Sequence, residues 1–396
     1  MSNMIDKRLN DGQHFRFTKG SKILFGLLIL IGLASLVTTI AGQSSQQVWS
    51  SLLLNNTLFL SMSLGAVLFV TAHIMGRAVW YLSVRRIAEA AGMFLPVAAI
   101  LMLILLAGTN HILPWTGEAH ADPVLEAKSP YLNLPFFIIR QVIILTVWTW
   151  IVLRLRKLSL DHDQNIDSRF FRKSSITSGI FLVFTFIMIS VFSWDWLMSL
   201  EPHWYSTIYG WYVLVGSFLK GVAIIILIGA ALRSMGYLDF INEEHLHDLG
   251  KYLFAFSVSW MYLWYSQYML IWYGNLPEET IYYFRRINDH QFIFILNVIL
   301  NFGLPFVLLL DRGMRRRWIT LSFTAIIVMA GQWVDHYLMI SPAIIAEESR
   351  VGLLDIGITL GYLGMFLWVV FYSLSKANLL PVNHPNLKEG FHYENV

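Results

Sequence analysis

There is no cysteine among the 396 residues. The chain therefore holds no thiolate-ligated iron–sulfur cluster, no CxxCH-type c haem and no disulfide. Charge is also scarce, at 13% Asp, Glu, Lys and Arg, about half of what a soluble globular chain carries. The net charge of +3 is small, and its basic residues gather at the ends of apolar runs, which argues against a nucleic-acid surface. No P-loop, serine nucleophile elbow or acidic metal loop occurs. What is abundant is apolar: 56% hydrophobic residues and a mean hydropathy of +0.58. Fifty-nine aromatics exclude disorder. The composition describes an all-α integral membrane protein.

A bilayer core needs roughly 20 apolar residues in a helix, because backbone groups there must be satisfied within the segment. Ten stretches meet that length, approximately Ser21–Ala41, Thr57–Tyr81, Ala90–Leu113, Leu134–Leu153, Ile176–Met198, Trp204–Leu232, Tyr252–Tyr273, Gln291–Leu310, Trp318–Ile340 and Gly352–Lys376. With the N-terminus in the cytoplasm, 21 Lys and Arg residues fall in cytoplasmic segments, four outside and three within spans. That bias predicts that both termini are cytoplasmic. Residues 1–20 lack a signal-peptide cleavage site and are expected to remain as a cytoplasmic segment. Residues 21–376 are expected to form one membrane domain and 377–396 a cytoplasmic tail. The longest outer connection, Pro114–Asn133, could lie along the surface or meet a partner. No connection is long enough for a folded redox domain, so any such domain belongs to another polypeptide.

Ionisable residues at membrane depth are functional candidates by default. Lys220 stands near the middle of the sixth span, where it suits proton relay or pairing with a buried acid; otherwise its stem snorkels to a polar pocket. His73 and Arg77 are four apart on the second span, a spacing that stacks them on one face. Together they suit proton input from the cytoplasm, or Arg77 snorkels and the pair is structural. Towards the outer ends lie Arg140, Asp195, Glu201, His203, Asp289, His290, Asp335, His336 and Asp355. Carboxylates and imidazoles at similar depth suit quinone contact and the release of the two protons a quinol gives up with its two electrons; each alone reads equally as an ion pair or interface residue. In the seventh span Trp260-Met261-Tyr262-Leu263-Trp264-Tyr265 adjoins Ser266, Gln267 and Tyr268. A stretch so polar at that depth faces helices or a wet cavity, which places Tyr265 and Tyr268 on a buried polar path. A b-type haem between His290 and His336 is a remote alternative, and no metal site is expected.

The run from Phe192 to Thr207, with Asp195-Trp196, Met198-Ser199-Leu200-Glu201-Pro202 and Trp204, resembles one family. Gly331-Gln332-Trp333-Val334-Asp335-His336-Tyr337 and Trp272-Tyr273-Gly274-Asn275-Leu276-Pro277-Glu278-Glu279 carry the same likeness, which extends over essentially the whole chain. The chain resembles the ActF-type, NrfD/PsrC-like membrane subunits of bacterial alternative complex III, a quinol:cytochrome c oxidoreductase of the cytoplasmic (inner) membrane. The resemblance implies ten helices, with spans two to five and six to nine as two four-helix bundles and two peripheral helices. It implies partners: a sister NrfD-like quinol-binding subunit, an iron–sulfur protein, multihaem and monohaem cytochromes c, and a terminal oxidase as a further acceptor. It also implies that electrons come from menaquinone- or ubiquinone-type quinols, that haem and iron–sulfur centres sit on partner subunits only, and that nothing is covalently bound here. A proton path through His73, Arg77, Lys220, Tyr265, Tyr268 and Asp335 is the expected contribution. A proton-coupled transporter with a midplane site and a purely structural anchor remain the alternatives.

Overall fold

The computed structural model describes residues 13–117, 122–164, 168–345, 352–384 and 386–391. Eleven helices of twelve residues or more follow one another: α1 Lys19–Gly42, α2 Ser45–Met75, α3 Arg85–Ile112, α4 Leu134–Gln164, α5 Ser168–Trp196, α6 Tyr209–Ser234, α7 Glu243–Gly274, α8 Pro277–Asn288, α9 Gln291–Leu309, α10 Trp318–Ile344 and α11 Leu353–Leu374. Among the described residues there is no strand, and nine helices (all but α7 and α8) are long and apolar enough to cross a membrane. The protein is an all-α, multi-pass membrane protein.

The seventh expected span forms as one 32-residue helix. Its serines, glutamine, tyrosines and flanking charges keep it below the apolar content of the other nine. Helix α8 is absent from the hydropathy reading because it is amphipathic and only about 18 Å long. Capping sets the ends. Ser44 accepts the Gln47 amide to open α2, so that helix starts twelve residues before the expected span, and Gly76 closes it at Met75. Asn242 accepts the Glu244 and His245 amides at the start of α7, and Asn275, with a left-handed φ of 48°, ends it just before Pro277 opens α8.

Helices α2 and α6 are the most buried of the nine. They run parallel with backbones in contact: a Cβ on Gly65 would lie 1.8 Å from the Ser217 carbonyl oxygen, so only glycine fits there. Around this pair α3, α4 and α5 gather on the α2 side, and α7, α9 and α10 on the α6 side; α1 and α11 pack on each other at the periphery. Both described ends of the chain meet at one face. The Gln13 amide donates to Asn378 Oδ1 at 2.8 Å, and the Leu379 amide donates to the Gln13 carbonyl. We call this the terminal face. The opposite face carries the short helix Pro123–Lys128 and α8.

Candidate functional site

At the heart of the α6–α10 group lies a continuous chain of polar side chains. Lys220 Nζ donates to Gln332 Oε1 at 2.9 Å, and Gln332 Nε2 donates to Asn301 Oδ1 at 2.8 Å. Asn301 Nδ2 donates to Asn297 Oδ1 at 2.7 Å, and Asn297 Nδ2 to Asp335 Oδ1 at 3.0 Å. Tyr212 OH donates to the same carboxylate oxygen, and Trp260 Nε1 to the other at 3.3 Å. Every member of the Lys220–Asp335 chain is buried. A lysine and an aspartate on different helices are thus joined through three primary amides, all turned the same way, with each carbonyl towards the lysine and each NH₂ towards the carboxylate.

The local chain explains the geometry. Pro305 has no amide hydrogen to give the Asn301 carbonyl, so α9 widens into a π-helical turn over Ile299–Gly303. Asn297, just before that turn, and Asn301, within it, both reach side chains of α10. Gln332 and Asp335 are one turn apart on α10. Gly216 leaves room for the lysine, since a Cβ there would stand 3.1 Å from Gln332 Oε1 and 3.5 Å from Lys220 Nζ.

From Asp335 a route continues to the opposite face. A cavity of about 20 Å³ is lined by Asp335, Asn297, Gln267, Tyr282, Tyr283 and Arg286, which is room for one water with ample polar partners. Beyond it Gln267 Nε2 donates to Tyr283 OH, and Ser206 Oγ to Gln267 Oε1. Arg286 lies 3.4 Å over the Tyr282 ring and, like Arg285, pairs with Glu201. Burial pushes the Tyr282 phenol up to about 12, so it stays protonated and can only donate or accept hydrogen bonds. In the other direction the surroundings change character. His73 donates to the Phe69 carbonyl through Nδ1, and its ring is surrounded by those of Phe69, Trp80, Tyr81 and, on α7, Tyr252, with Phe218 and Phe256 stacked behind Tyr252. His73 Nε2 has no partner among the described residues.

The remaining candidates separate into different sites. Asp195 is held by Arg140 in a two-pronged pair at 2.7 and 2.9 Å, and also accepts from Gln141 at 2.6 Å. The Arg140 guanidinium sits over the Tyr131 and Phe136 rings. This carboxylate is saturated by structure. His203 is exposed and pairs with Asp122 at 2.7 Å, fastening the Pro123–Lys128 helix. Asp289 is exposed beyond α8, and His290 is buried against Tyr337, where burial pushes its imidazole down. His336 bonds the Gln332 carbonyl one turn back. Asp355 caps α11, accepting from Ser51 and from the Gly352 amide. The outer-end candidates therefore do not form one ring; only Asp335, and Glu201 beyond the cavity, lie on the route.

Two members of the expected path are elsewhere. Arg77 does not share a helical face with His73, because α2 ends at Met75 and Arg77 sits exposed in a left-handed turn at φ 51°. Tyr265 points outward and is 51% exposed. Tyr268 stays half-buried, stacked on Trp264 and edge-on to Tyr283. Charge, and one aromatic-polar run in the seventh span, single out mid-membrane residues in the sequence; neither reaches Gln332, Asn297, Asn301 or Tyr212. The spacing Asn297-x₃-Asn301 in an apolar span and Gln332-x₂-Asp335 in the next would have found them.

A larger cavity, about 410 Å³, opens at the opposite face among Tyr131, Leu132, Trp194, Met198, Trp204 and Tyr205. Trp204 Nε1 is buried without a hydrogen-bond partner among the described residues. No group of three or more His, Cys, Asp or Glu able to hold a metal occurs among the described residues. Fold and site define a multi-pass, all-α membrane protein with a buried lysine–amide–carboxylate chain. Neither the known protein families nor the curated proteins contain a match to this sequence.

Proposed function

We propose that this chain is the proton-handling membrane subunit of a respiratory quinol:cytochrome c oxidoreductase of the alternative complex III type, in the bacterial cytoplasmic membrane. The observation that carries the reading is the Lys220–Gln332–Asn301–Asn297–Asp335 chain with its exit through a water-sized cavity. Buried ionisable groups at membrane depth are retained for pathways and relays. Primary amides pass a proton poorly, because each would have to become an imidic acid. They transmit charge instead: a proton gained or lost at Asp335 is felt at Lys220 through three aligned dipoles. Asp335 exchanges its proton with water in the cavity, towards Tyr283, Gln267 and the Glu201–Arg286 pair. On the positive-inside count the terminal face is cytoplasmic, so this exchange is with the outer side.

The expected partners are the sister quinol-binding subunit, the iron–sulfur protein and the cytochromes c, with menaquinol or ubiquinol as reductant. Gentle extraction followed by a reduced-minus-oxidised spectrum tests this membership. A c-type haem spectrum co-purifying with a second multi-helix subunit is expected; a colourless, solitary chain would contradict it.

One observation favours a second role. The 410 Å³ cavity, ringed by aromatics and lined by the unpaired Trp204 indole N–H, has the size and lining of a small-molecule site and offers a hydrogen bond to a quinone carbonyl. A photoreactive quinone analogue should then label Trp204 or Tyr131, with Trp204→Leu abolishing the labelling. Labelling confined to another subunit would reject quinone contact here while leaving the proton reading intact.

A further inference from the structure

Helix α7 differs from the other long helices on its outward side. Where α1, α5 and α9 turn Ile, Leu, Val and Phe outward, α7 turns out Ala255, Ser259, Tyr262, Ser266, Met269 and Tyr273, exposed or half-buried, flanked by Tyr265 and Trp272. Tyr262 is 69% exposed, near the middle of the helix. Neither phenol OH of Tyr262 and Tyr265 has a hydrogen-bond partner among the described residues, and the Ser259 hydroxyl turns back to the Ala255 carbonyl. Hydrocarbon chains offer such hydroxyls no partner. The six positions follow a 4,3,4,3,4 spacing, the repeat of a helix–helix seam rather than of a lipid-facing surface. The stripe is about 27 Å long, close to the hydrocarbon thickness of a bilayer.

We propose that this stripe seats a transmembrane helix of a different polypeptide. Ala255 and Ser259 let that helix approach closely in the half nearer the terminal face, as small residues do at membrane helix contacts. Tyr262 and Tyr265 then donate to acceptors on it, such as carbonyls exposed by small residues or Ser, Thr, Asn and Gln side chains. A second copy of this chain fits less well. A symmetric pairing of parallel α7 helices would set the Tyr262 ring against its own copy.

The absence of native cysteine makes single-site labelling clean. Nitroxides on Tyr262→Cys and on Ile180→Cys (an exposed α5 position) would be compared for collisions with membrane-dissolved oxygen. In the assembly purified from native membranes, position 262 should be shielded severalfold relative to 180. In the chain reconstituted alone at high lipid ratio the two should be equal. A photo-crosslinker attached to the thiol of the Tyr262→Cys variant should join one transmembrane peptide of another polypeptide, and Tyr262→Phe with Tyr265→Phe should cut recovery of that same polypeptide without lowering the amount of this chain. Equal collision rates at 262 and 180 in the native assembly would overturn the proposal, as would a crosslinked product of twice this chain's mass. Ser266→Cys serves if Tyr262→Cys is not produced folded. The readout is independent of Lys220 and Asp335, so it stands or falls apart from the proton reading.

Discussion

Two aspartates in similar apolar surroundings differ in the chemistry of their partners. Asp195 meets a guanidinium face to face and an amide from Gln141, a full set of charge-assisted bonds. Asp335 meets only neutral donors, Tyr212, Asn297 and Trp260, while its cationic counterpart Lys220 is held off by three amides. The first arrangement fixes charge in place; the second is the one that the proposed proton exchange uses. Removing one partner of a buried pair strands the other, which costs about 3–5 kcal/mol. Asp195→Ala should therefore lower the thermal midpoint of the purified protein sharply, with Arg140→Ala and the double substitution costing less than their sum. Proton movement per electron should be unaltered in whatever fraction stays assembled. At this scale the sequence was informative about charge: Lys220, Asp335, Arg140 and Asp195 all stand out from apolar runs. It was silent on direction. A hydropathy window does not register on which side of a helix a side chain leaves, so Tyr265, which faces outward, and Tyr268, which faces in, looked alike. Arg77 was misplaced because the glycine stop at Gly76 was read as part of the span.

The elements depend on a few backbone details more than on hydropathy. The parallel contact of α2 and α6 rests on Gly65, whose missing side chain brings the two backbones together. Gly65→Val should force them apart and cost about 3 kcal/mol or more, read as loss of folded protein in detergent. Gly274→Val, with nothing within 4 Å of its added Cβ, should leave stability nearly unchanged. Helix α9 shows the same dependence: without the amide that Pro305 lacks, the π-helical turn and the orientation of Asn301 follow. Nine of the ten expected spans were legible because length and apolar content dictate them. Helix α7 was legible as a helix, but its serines and tyrosines set it below the apolar content of the others. The amphipathic α8 escaped the reading, and so did the start of α2, where the Ser44 cap lies outside the apolar run.

Across the whole molecule, the C-terminal segment folds back under the terminal face. Asn383 donates to the Asp163 carbonyl, and His384 packs by the rings of His162 and Phe171. Burial, with Arg85 and His162 as positive neighbours, pushes His384 down to about 3. In the undocked chain it titrates near 6.5. The docked form therefore keeps its full stability above about pH 6.5 and loses it as pH falls towards 3, by about 1.4 kcal/mol per pH unit between those limits. Limited proteolysis of the C-terminal segment should accelerate on acidification over that range, and His384→Gln should remove this histidine's share of the pH dependence.

The packing around α2 and α6 places the lysine–amide–carboxylate chain among α6, α9 and α10, with its water-sized cavity on the side opposite the terminal face. The most direct test of its role is the rate at which protons appear outside when quinol is pulsed into proteoliposomes of the assembled complex. Lys220→Met and Asp335→Asn should each slow that appearance together with quinol oxidation. Rates unchanged in both variants, in complexes of normal composition, would contradict the account.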